Sequence, residues 1–394
     1  MTIQENLQTP VAHQCQVLVC GGGFAGISAA LAAARLGKQV LLLEKQYMLG
    51  GLAIAGLITI YLPLCDGMGK QVSFGIAEEL LKLSIKHGAE ARYPKNWLDD
   101  EGTRTEKDPR YLVRYNAQVF AILAEQLLLK EGVTVLYGTY AVDVIKAGDQ
   151  IDTLVVEGKS GRQGFRVNAV VDATGDCDIA LFAGAPTNTF EKGNFLASWY
   201  YSAEEKGYVL NQLGRADLEQ YEDPNVRTFS GIGDENLSEM MILAHKNILD
   251  HFLKKQEADP SAWIATLPTV PQVRMSRKLI GEYSQAETEM HQYFEDSIGM
   301  VSDWRKRGPV YEVPFRTLYS NAVKNLIVAG RCTSVEEDMW DIMRVIPCCA
   351  ITGQAAGTAA AMSDDFAALD VAALQEKLQK DGVILHEKDI PESK

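Results

Sequence analysis

The sequence predicts an α/β protein in which a parallel-sheet domain is interrupted by a second, α+β domain. Three observations support this prediction. A glycine-rich turn stands between an apolar strand and an alanine-rich helix near the amino terminus, which is typical of a βαβ unit. A similar apolar strand and a helix of small residues return near the carboxyl terminus. The stretch between them is richer in aromatic residues and loop signals, as expected of an insertion.

The first fifty residues carry the strongest pattern. Residues 16–20, which read QVLVC, predict a buried strand, and residues 27–36 predict a helix that ends at Gly37. Residues 39–44 predict a second buried strand, which ends at Glu44. Two strands joined by a helix over about thirty residues indicate a βαβ unit with parallel strands.

The turn in this unit matches the spacing G-x-G-x-x-G at Gly21, Gly23 and Gly26. The first glycine permits a tight turn, the second lets the backbone approach a pyrophosphate, and the third permits close packing of helix on strand. The helix N-terminus supplies N–H donors and partial positive charge for the phosphates. With Glu44 available to ribose hydroxyls, the combination predicts a Rossmann-like dinucleotide site, open to NAD or FAD.

Further elements follow from apolar periodicity and glycine punctuation. Helices are predicted at 72–87, 110–131, 235–256, 348–362 and 371–382, and strands at 134–137, 140–145, 152–156, 165–171 and 325–330. The nucleotide-binding pattern returns after residue 318. We therefore predict a discontinuous nucleotide-binding domain over 1–185 and 319–365, an inserted substrate or cap domain over 186–318, and a helix and tail over 366–394.

Composition excludes several classes of function. The 394 residues include 38 basic and 52 acidic side chains, and the formal net charge of -14 disfavours nucleic acid and membrane surfaces as partners. No apolar run reaches the length of a membrane span, and the N-terminus lacks the features of a signal peptide. The 7 cysteines show no metal-ligand spacing, which predicts a reduced, cytoplasmic protein without a metal site.

Several further motifs appear in order along the chain. Glu44-Lys45 leads to Gly50-Gly51, residues 170–176 read VVDATGD, residues 326–331 read LIVAGR, and Arg344-Val345 leads to GQAAGTAAA at 353–361. Together they resemble the FAD-dependent oxidoreductases of the glutathione-reductase-like fold. The closest resemblance is to bacterial flavoproteins distantly related to the flavoprotein subunits of fumarate reductase and succinate dehydrogenase. The two outer segments would then form an FAD-binding domain.

The resemblance also implies which residues contact the cofactor. The glycine turn would bind the pyrophosphate, Glu44 and Lys45 the adenosine ribose, and main-chain atoms of the strand after Gly138 the adenine. The full expected set is Gly21, Gly22, Gly23, Phe24, Ala25, Gly26, Glu44, Lys45, Gly50, Gly51, Leu52, Ala141, Val142, Ala173, Thr174, Gly175, Gly330, Arg331, Val345 and Ile346. Neither the segment near Gly51 nor residues 330–350 contain a histidine, so non-covalent FAD is expected.

Two features of the carboxyl-terminal motifs leave more than one interpretation. Gly330-Arg331 stands where many relatives have Gly-Asp at the ribityl chain, which leaves the role of Arg331 open. The helix that begins near Pro347 would direct its N-terminus toward the flavin pyrimidine edge, where reduced flavin carries negative charge. Gly353 and Gly357 also suit close packing between helices.

The sequence favours an enzyme that exchanges a hydride between flavin N5 and a small, anionic organic substrate. Disulfide reductases of this fold need a cysteine pair where Cys65 stands alone, and no second glycine fingerprint for NADPH appears at 100–320. Arg344 and Arg277 are the candidate catalytic residues, because guanidinium groups bind carboxylates. Arg274, on the same predicted strand as Arg277, would point to the opposite face. For each arginine, a salt bridge within the protein is the alternative.

Two other functions stay open at this point. A flavin oxidase or monooxygenase would use O2. A flavin-binding subunit would depend on a partner protein for its activity. In each case the partners are a small-molecule substrate and an electron partner that the motifs do not specify.

Overall fold

The computed structural model describes residues 2–87, 112–205, 207–214 and 226–391. The strands are β1 (Val11–Cys20), β2 (Val40–Glu44), β3 (Ile60–Tyr61), β4 (Val113–Arg114), β5 (Thr134–Tyr137), β6 (Tyr140–Ala147), β7 (Gln150–Gly158), β8 (Gly161–Asp172), β9 (Thr187–Thr189), β10 (Asn194–Phe195), β11 (Ser198–Glu204), β12 (Gly207–Leu213), β13 (Thr228–Phe229), β14 (Trp263–Thr266), β15 (Arg277–Leu279), β16 (Ser297–Ser302), β17 (Val310–Pro314) and β18 (Leu326–Val328). The helices are α1 (Phe24–Arg35), α2 (Leu52–Ala55), α3 (Ile76–Ile85), α4 (Ala117–Lys130), α5 (Asp178–Phe182), α6 (Asp234–Ala258), α7 (Glu337–Met343), α8 (Ile346–Met362) and α9 (Val371–Lys380).

A 7-stranded sheet has the order β5-β2-β1-β8-β7-β6, and β18 also pairs with β8. β5, β2, β1, β8 and β18 run parallel, whereas β7 is antiparallel to both β6 and β8. The carboxyl ends of β1, β2, β8 and β18 therefore meet at one edge of the sheet. Ligands of open α/β sheets bind beyond such an edge.

The predicted βαβ unit is confirmed. β1, α1 and β2 follow one another, and the parallel register pairs Val17 with Val40 and Cys20 with Leu43. α1 begins at Phe24, earlier than predicted, because the preceding Gly23 is extended, with φ -72° and ψ -178°, and helical geometry starts directly after it. All of β2 is buried, in agreement with the apolar run from Val40 to Leu43 that precedes Glu44.

Two predicted helices have different starts. The helix predicted at 72–87 begins at Ile76, after Gly75 with φ +66°. The helix predicted at 110–131 is wrong in its first turns, where the chain instead forms β4. α4 starts after Asn116, whose side chain accepts a hydrogen bond from a first-turn N–H at 3.2 Å and so caps the helix. The first two residues of that prediction lie outside the described residues.

α8 packs directly on α1, and glycines make the close approach possible. A Cβ on Gly353 would lie 2.2 Å from the carbonyl oxygen of Ala25, and one on Gly357 would lie 2.1 Å from that of Ala29. Both contacts are backbone atoms of α1, which cannot move aside as a flexible side chain can. The interpretation that Gly353 and Gly357 permit close packing between helices is therefore confirmed.

No single helix in the described ranges is long and apolar enough to cross a bilayer. α7 and α8 have the length and apolar composition of a membrane span only when the two helices are counted together. The two helices are bent by 89° relative to each other.

The described residues between 186 and 318 form several small antiparallel sheets. These are β12-β11-β14, β9-β15, β10-β13 and β16-β17. The helix predicted at 235–256 is confirmed as α6, which lies beside β11 and is joined to it by a hydrogen bond of 2.9 Å between Tyr200 OH and His251 Nδ1. The assignment of this region as a separate domain stays a prediction.

Candidate functional site

The turn after β1 is shaped by contacts that only glycine permits. Gly21 has φ +104°, and a Cβ there would lie 2.4 Å from the carbonyl oxygen of Ala173. A Cβ on Gly26 would lie 1.8 Å from the carbonyl oxygen of Gly21. Gly23 differs, because the nearest atom to a Cβ there is Gly51 Cα at 3.9 Å. The fold itself therefore requires the first and third glycines, whereas the second borders open space.

Glu44 lies beside this turn at the end of β2. Its Oε2 accepts a hydrogen bond from Gly22 N at 2.8 Å, and its Oε1 accepts one from Gln46 N at 2.7 Å. The side chain is buried, and burial raises the pKa of the carboxyl group above its ordinary value. Each carboxylate oxygen keeps a further lone pair. Glu44 can thus hold the glycine turn and still accept hydrogen bonds from a ribose.

A second pair of glycines approaches the turn. Gly50 N donates to Gly22 O at 2.7 Å, and a Cβ on Gly51 would lie 3.0 Å from Gly23 Cα. Both have positive φ angles, of 103° and 54°. α2 begins directly afterwards, at Leu52. The structure thus brings together the two glycine motifs that the sequence separates by more than twenty residues.

The segments that follow β8 and β18 complete the arrangement. Ala173 N donates to Cys20 O at 2.9 Å, which continues the ladder toward the turn. Gly330 has φ +69°, and a Cβ there would lie 2.9 Å from the Cβ of Ala25. Its N–H donates to Thr352 Oγ1 at 2.9 Å, which joins it to α8. We call the place where residues 21–26, 50–51, 173–175 and 330 meet the glycine crevice.

Arg331 connects segments that are far apart in the sequence. Its Nη1 donates to Val273 O at 2.6 Å, and its Nη2 lies 3.3 Å from Asp176 Oδ1. The guanidinium also covers Gly175, where a Cβ would lie 2.5 Å from Nη2. Arg331 therefore ties residues 173–176 to the segment before β15.

Ala141 and Val142 lie on β6, at the edge of the large sheet. Ala141 pairs with Val156, whereas Val142 falls at an irregularity in the ladder between β6 and β7. Thr139, just before β6, donates its N–H to the carbonyl oxygen of Glu44 at 3.4 Å. The start of β6 therefore lies next to the end of β2.

Tyr47 is an exposed aromatic residue in this region that the sequence motifs do not indicate. This side chain is 78% exposed, and its ring lies 6.4 Å from that of Tyr137. A Cβ on Gly138 would lie 2.4 Å from the Tyr47 hydroxyl. The only available signal was an exposed aromatic residue soon after Lys45, which is itself exposed. Tyr47 thus places an exposed ring beside Gly138, just before β6.

The start of α8 also lies at the glycine crevice. Val345 is its N-cap residue, Pro347 stands in the first turn, and no side chain of the described residues caps the helix. α1 likewise has no side-chain cap at Gly23. A Cβ on Gly330 would lie 3.4 Å from Cys349 Sγ, which brings the first turn of α8 close to the crevice. Uncapped N–H groups at two helix N-termini favour an anionic ligand.

Comparison with known families identifies the cofactor of the chain. The sequence model of the family described as FAD dependent oxidoreductase matches residues 16–198 and 232–378. The chain belongs to this family. It is an FAD-dependent oxidoreductase, and FAD is its cofactor. A search of curated proteins finds no match.

Solved structures provide further similarities. A geranylgeranyl bacteriochlorophyll reductase-like protein from Thermoplasma acidophilum is 15% identical, with a TM-score of 0.45 over 94% of this chain and 82% of that chain. A p-nitrophenol 4-monooxygenase from Pseudomonas putida is 13% identical, with a TM-score of 0.46 over 93% and 81%. A 3-ketosteroid-Δ4-(5α)-dehydrogenase from Rhodococcus jostii is 14% identical, with a TM-score of 0.41 over 90% and 100%.

The glycine crevice fits FAD by its shape and by its donors. Its walls near Gly23 and Gly51 are backbone, so a pyrophosphate can approach without meeting a side chain. The uncapped N-termini of α1 and α8 offer N–H donors, and Glu44 offers acceptors for the ribose. When bound, FAD supplies an isoalloxazine ring that accepts or donates a hydride.

Arg344 and Arg277, the candidate catalytic residues, both pair with aspartates. Arg344 Nε donates to Asp341 Oδ1 at 2.8 Å, and its guanidinium lies 5.7 Å from the ring of Trp304. Arg277 Nη1 donates to Asp176 O at 3.1 Å and lies 3.3 Å from Asp178 Oδ1. Salt bridges within the protein, the alternative from the sequence, are therefore observed for both arginines.

The prediction that Arg274 and Arg277 point to opposite faces of one strand is wrong. β15 begins only at Arg277, and Arg274 precedes it in an irregular segment. Arg274 is nevertheless 6% exposed. Its Nη2 donates to Gln272 Oε1 at 3.0 Å, and its guanidinium lies 5.4 Å from the ring of Trp199. Of these two arginines, Arg274 is therefore the one packed on an aromatic ring.

Three buried side chains lie close together and offer ligand types that metals accept. A carboxylate oxygen of Asp172 and the sulfurs of Cys177 and Cys332 lie within 4.8 Å of one another. Oδ1 of Asp172 accepts two hydrogen bonds from Thr174, and Oδ2 accepts the N–H groups of Ile179 and Ala180 at 2.9 and 3.0 Å. These four bonds satisfy the carboxylate. They explain its burial as a cap on the turn that leads into α5.

Asp178, at the start of α5, is expected to make stability depend on pH. Burial raises the pKa of its carboxyl from 3.8 to about 6, and the charges of Asp176 and Asp172 add to the effect. A raised pKa in the folded state means that the contribution to stability is complete below about pH 4 and is lost as the pH rises through 6. An Asp178→Asn variant should therefore gain stability relative to the native protein as the pH increases.

Urea unfolding at about pH 4.5 and about pH 7.5 measures this difference. The expected relative gain is below about 1 kcal/mol, because the Asp178 side chain is 38% exposed and solvent screens its charge. Asp143→Asn, on the exposed edge of β6, is the control. Equal pH dependence in the native protein and the Asp178 variant would contradict the prediction.

Proposed function

We propose that this enzyme exchanges a hydride between FAD and a small, anionic organic substrate. The observation that carries the proposal is a buried arginine next to the glycine crevice. Arg274 is 6% exposed and follows Val273, whose carbonyl oxygen accepts the hydrogen bond from Arg331. Buried guanidinium groups bind carboxylates through paired, charge-assisted hydrogen bonds. An anion at Arg274 would thus be bound beside the residues assigned to FAD.

In this proposal Arg344 and Arg277 are positioning residues. Arg344, bound to Asp341, fixes the turn that precedes α8 and so directs the helix N-terminus toward the flavin. Arg277 binds the carbonyl oxygen of Asp176 and steadies the loop that crosses beneath the ribityl chain. Neither side chain then needs to touch the substrate.

The proposal also includes the division of the chain. Residues 1–185 and 319–365 would form the FAD-binding domain, with a glutathione-reductase-like fold and a distant relationship to fumarate reductase flavoproteins. Residues 186–318 would form the substrate domain. The parallel edge at β1, β8 and β18 and the small sheets of the middle region support this division.

The test begins with the cofactor and continues with the substrate. The purified protein should be yellow and should release FAD on denaturation without proteolysis, as expected of non-covalent binding. An anaerobic screen of small carboxylates and their uncharged amides then follows bleaching of the flavin band near about 450 nm. Bleaching by a carboxylate but not by its amide supports the proposal.

Other outcomes of the same experiment have distinct meanings. A protein without FAD rejects the proposal entirely. Bleaching by uncharged compounds alone rejects the anionic substrate. Rapid reoxidation of the photoreduced protein in air, with stoichiometric peroxide, would assign an oxidase instead.

A further inference from the structure

A cluster of hydroxyl groups, aromatic rings and one arginine lies beside β11, near the residue that precedes β3 and the residue that follows β4. It consists of Thr59, Tyr115, Trp199, Tyr201 and Arg274, and we call it the hydroxyl–arginine cluster. Trp199 and Tyr201 are two residues apart on β11 and therefore lie on the same face of that strand. That face contacts Thr59 through Tyr201 and Arg274 through Trp199.

The hydroxyl groups of the cluster have capacity for a ligand. Thr59 Oγ1 and Tyr201 OH form a hydrogen bond of 2.5 Å. Tyr115 is 5% exposed, and its OH has no hydrogen-bond partner among the described residues. Burial, and secondarily the nearby Tyr201, raise the pKa of the Tyr115 phenol, which keeps it a neutral donor. A buried hydroxyl without a partner costs free energy that a ligand oxygen would recover.

The arginine of the cluster is held in place from both sides. Arg274 Nη2 donates to Gln272 Oε1 at 3.0 Å, and the amide of Gln272 donates to Gly56 O at 2.6 Å. The ring of Trp199 lies under the guanidinium, at 5.4 Å. This arrangement fixes the direction of a group that binds anions through paired hydrogen bonds.

The cluster is connected to the glycine crevice along two routes. Gly56 directly follows α2, the helix that begins after Gly51. Phe24, the first residue of α1, contacts Tyr115 edge to face, with ring centroids 6.4 Å apart. The ring of Phe24 therefore links Tyr115 of the cluster to the glycine turn.

We propose that the hydroxyl–arginine cluster is the substrate site. It would bind a small carboxylate with a planar or aromatic body and a hydroxyl or carbonyl oxygen. Arg274 binds the carboxylate, Tyr115 and Tyr201 bind the second oxygen, and the aromatic rings contact the body. Tyr201 is partly exposed and marks the entrance, whereas Tyr115 marks the inner end. That this ligand is the substrate rests on the proposed function.

The test is ligand binding to the FAD-loaded protein by calorimetry. Mandelate has a carboxylate and a hydroxyl, phenylacetate lacks the hydroxyl, and mandelamide lacks the charge. The native protein should bind mandelate more tightly than phenylacetate, and mandelamide most weakly. If it binds none of the three, or all three equally, the proposal is overturned.

The Arg274→Gln variant tests the part of the site that binds the carboxylate, and the Tyr115→Phe variant tests the part that binds the second oxygen. Arg274→Gln should weaken both acids by about tenfold or more and leave mandelamide unchanged. The matched control is Arg316→Gln, since Arg316 also lies over an aromatic ring, at 5.0 Å from that of Tyr283, and is ion-paired with Asp296. The control should bind all three compounds as the native protein does. If Arg274→Gln and Arg316→Gln lose the same affinity for the two acids, the proposal is contradicted.

Tyr115→Phe should abolish the preference for mandelate over phenylacetate without lowering the melting temperature. A merely structural role for the hydroxyl would leave that preference intact, which would overturn the assignment of Tyr115. Binding through Arg274 without any flavin bleaching would reject the proposed function but keep the site. If a carboxylate bleaches the flavin and the Arg274→Gln variant binds it as tightly as the native protein does, the proposed function is kept and the site at Arg274 is rejected.

Discussion

A Gly23→Ala variant is expected to fold normally and to lose most of its affinity for FAD. The φ of -72° and ψ of -178° at Gly23 suit alanine, and the nearest atom to the new Cβ would be 3.9 Å away. The protein without FAD should therefore be as stable as the native chain, or slightly more so, because alanine restricts the unfolded state. The same Cβ would occupy the space through which the pyrophosphate approaches the backbone. We expect at least a tenfold loss of affinity, about 1.4 kcal/mol.

Two measurements on the same preparations check this result. The melting temperature of the FAD-free protein tests the fold, and titration with FAD tests the site. Gly26→Ala is the informative contrast, since its Cβ would lie 1.8 Å from the carbonyl oxygen of Gly21 and should disturb the fold as well. Native affinity in Gly23→Ala would show that the pyrophosphate does not pass this residue.

The parts of the crevice that the sequence predicts are those encoded within one short segment. The strand, turn and helix of residues 16–36 depend on local spacing, and the need for Gly21 and Gly26 follows from the tight turn itself. Gly50 and Gly51 were recognisable only through the resemblance. Their contact with Gly22 and Gly23 depends on how two separate segments pack.

Contacts between distant segments were not predictable in this way. Arg331 joins the carbonyl oxygen of Val273 to Asp176, and these three residues have no shared spacing. Tyr115 was assigned to a helix, whereas it stands between β4 and the cap residue of α4, so that its ring belongs to the hydroxyl–arginine cluster. Periodicity alone did not reveal that the chain turns before Asn116, because one capping hydrogen bond decides it.

A Gly353→Ala variant is expected to lose stability and FAD together. Its Cβ would lie 2.2 Å from the carbonyl oxygen of Ala25, which belongs to the first turn of α1. Overpacking of this kind costs about 3 kcal/mol, and the higher helix propensity of alanine offsets only about 1 kcal/mol of it. The net loss should be about 2 kcal/mol. Because the first turn of α1 also forms the glycine crevice, any shift that relieves the contact moves residues assigned to FAD.

Urea unfolding of the FAD-free protein measures the first effect, and FAD titration measures the second. Gly23→Ala is the matched control, since it makes the same chemical change beside open space and should keep its stability while it loses FAD. Gly357→Ala, with its Cβ 2.1 Å from the carbonyl oxygen of Ala29, should lower stability by a similar amount. It lies one turn farther along α8, away from the crevice, so its effect on FAD should be smaller. If Gly353→Ala and Gly357→Ala unfold at the native urea concentration, α1 and α8 do not approach as closely as the structure has them.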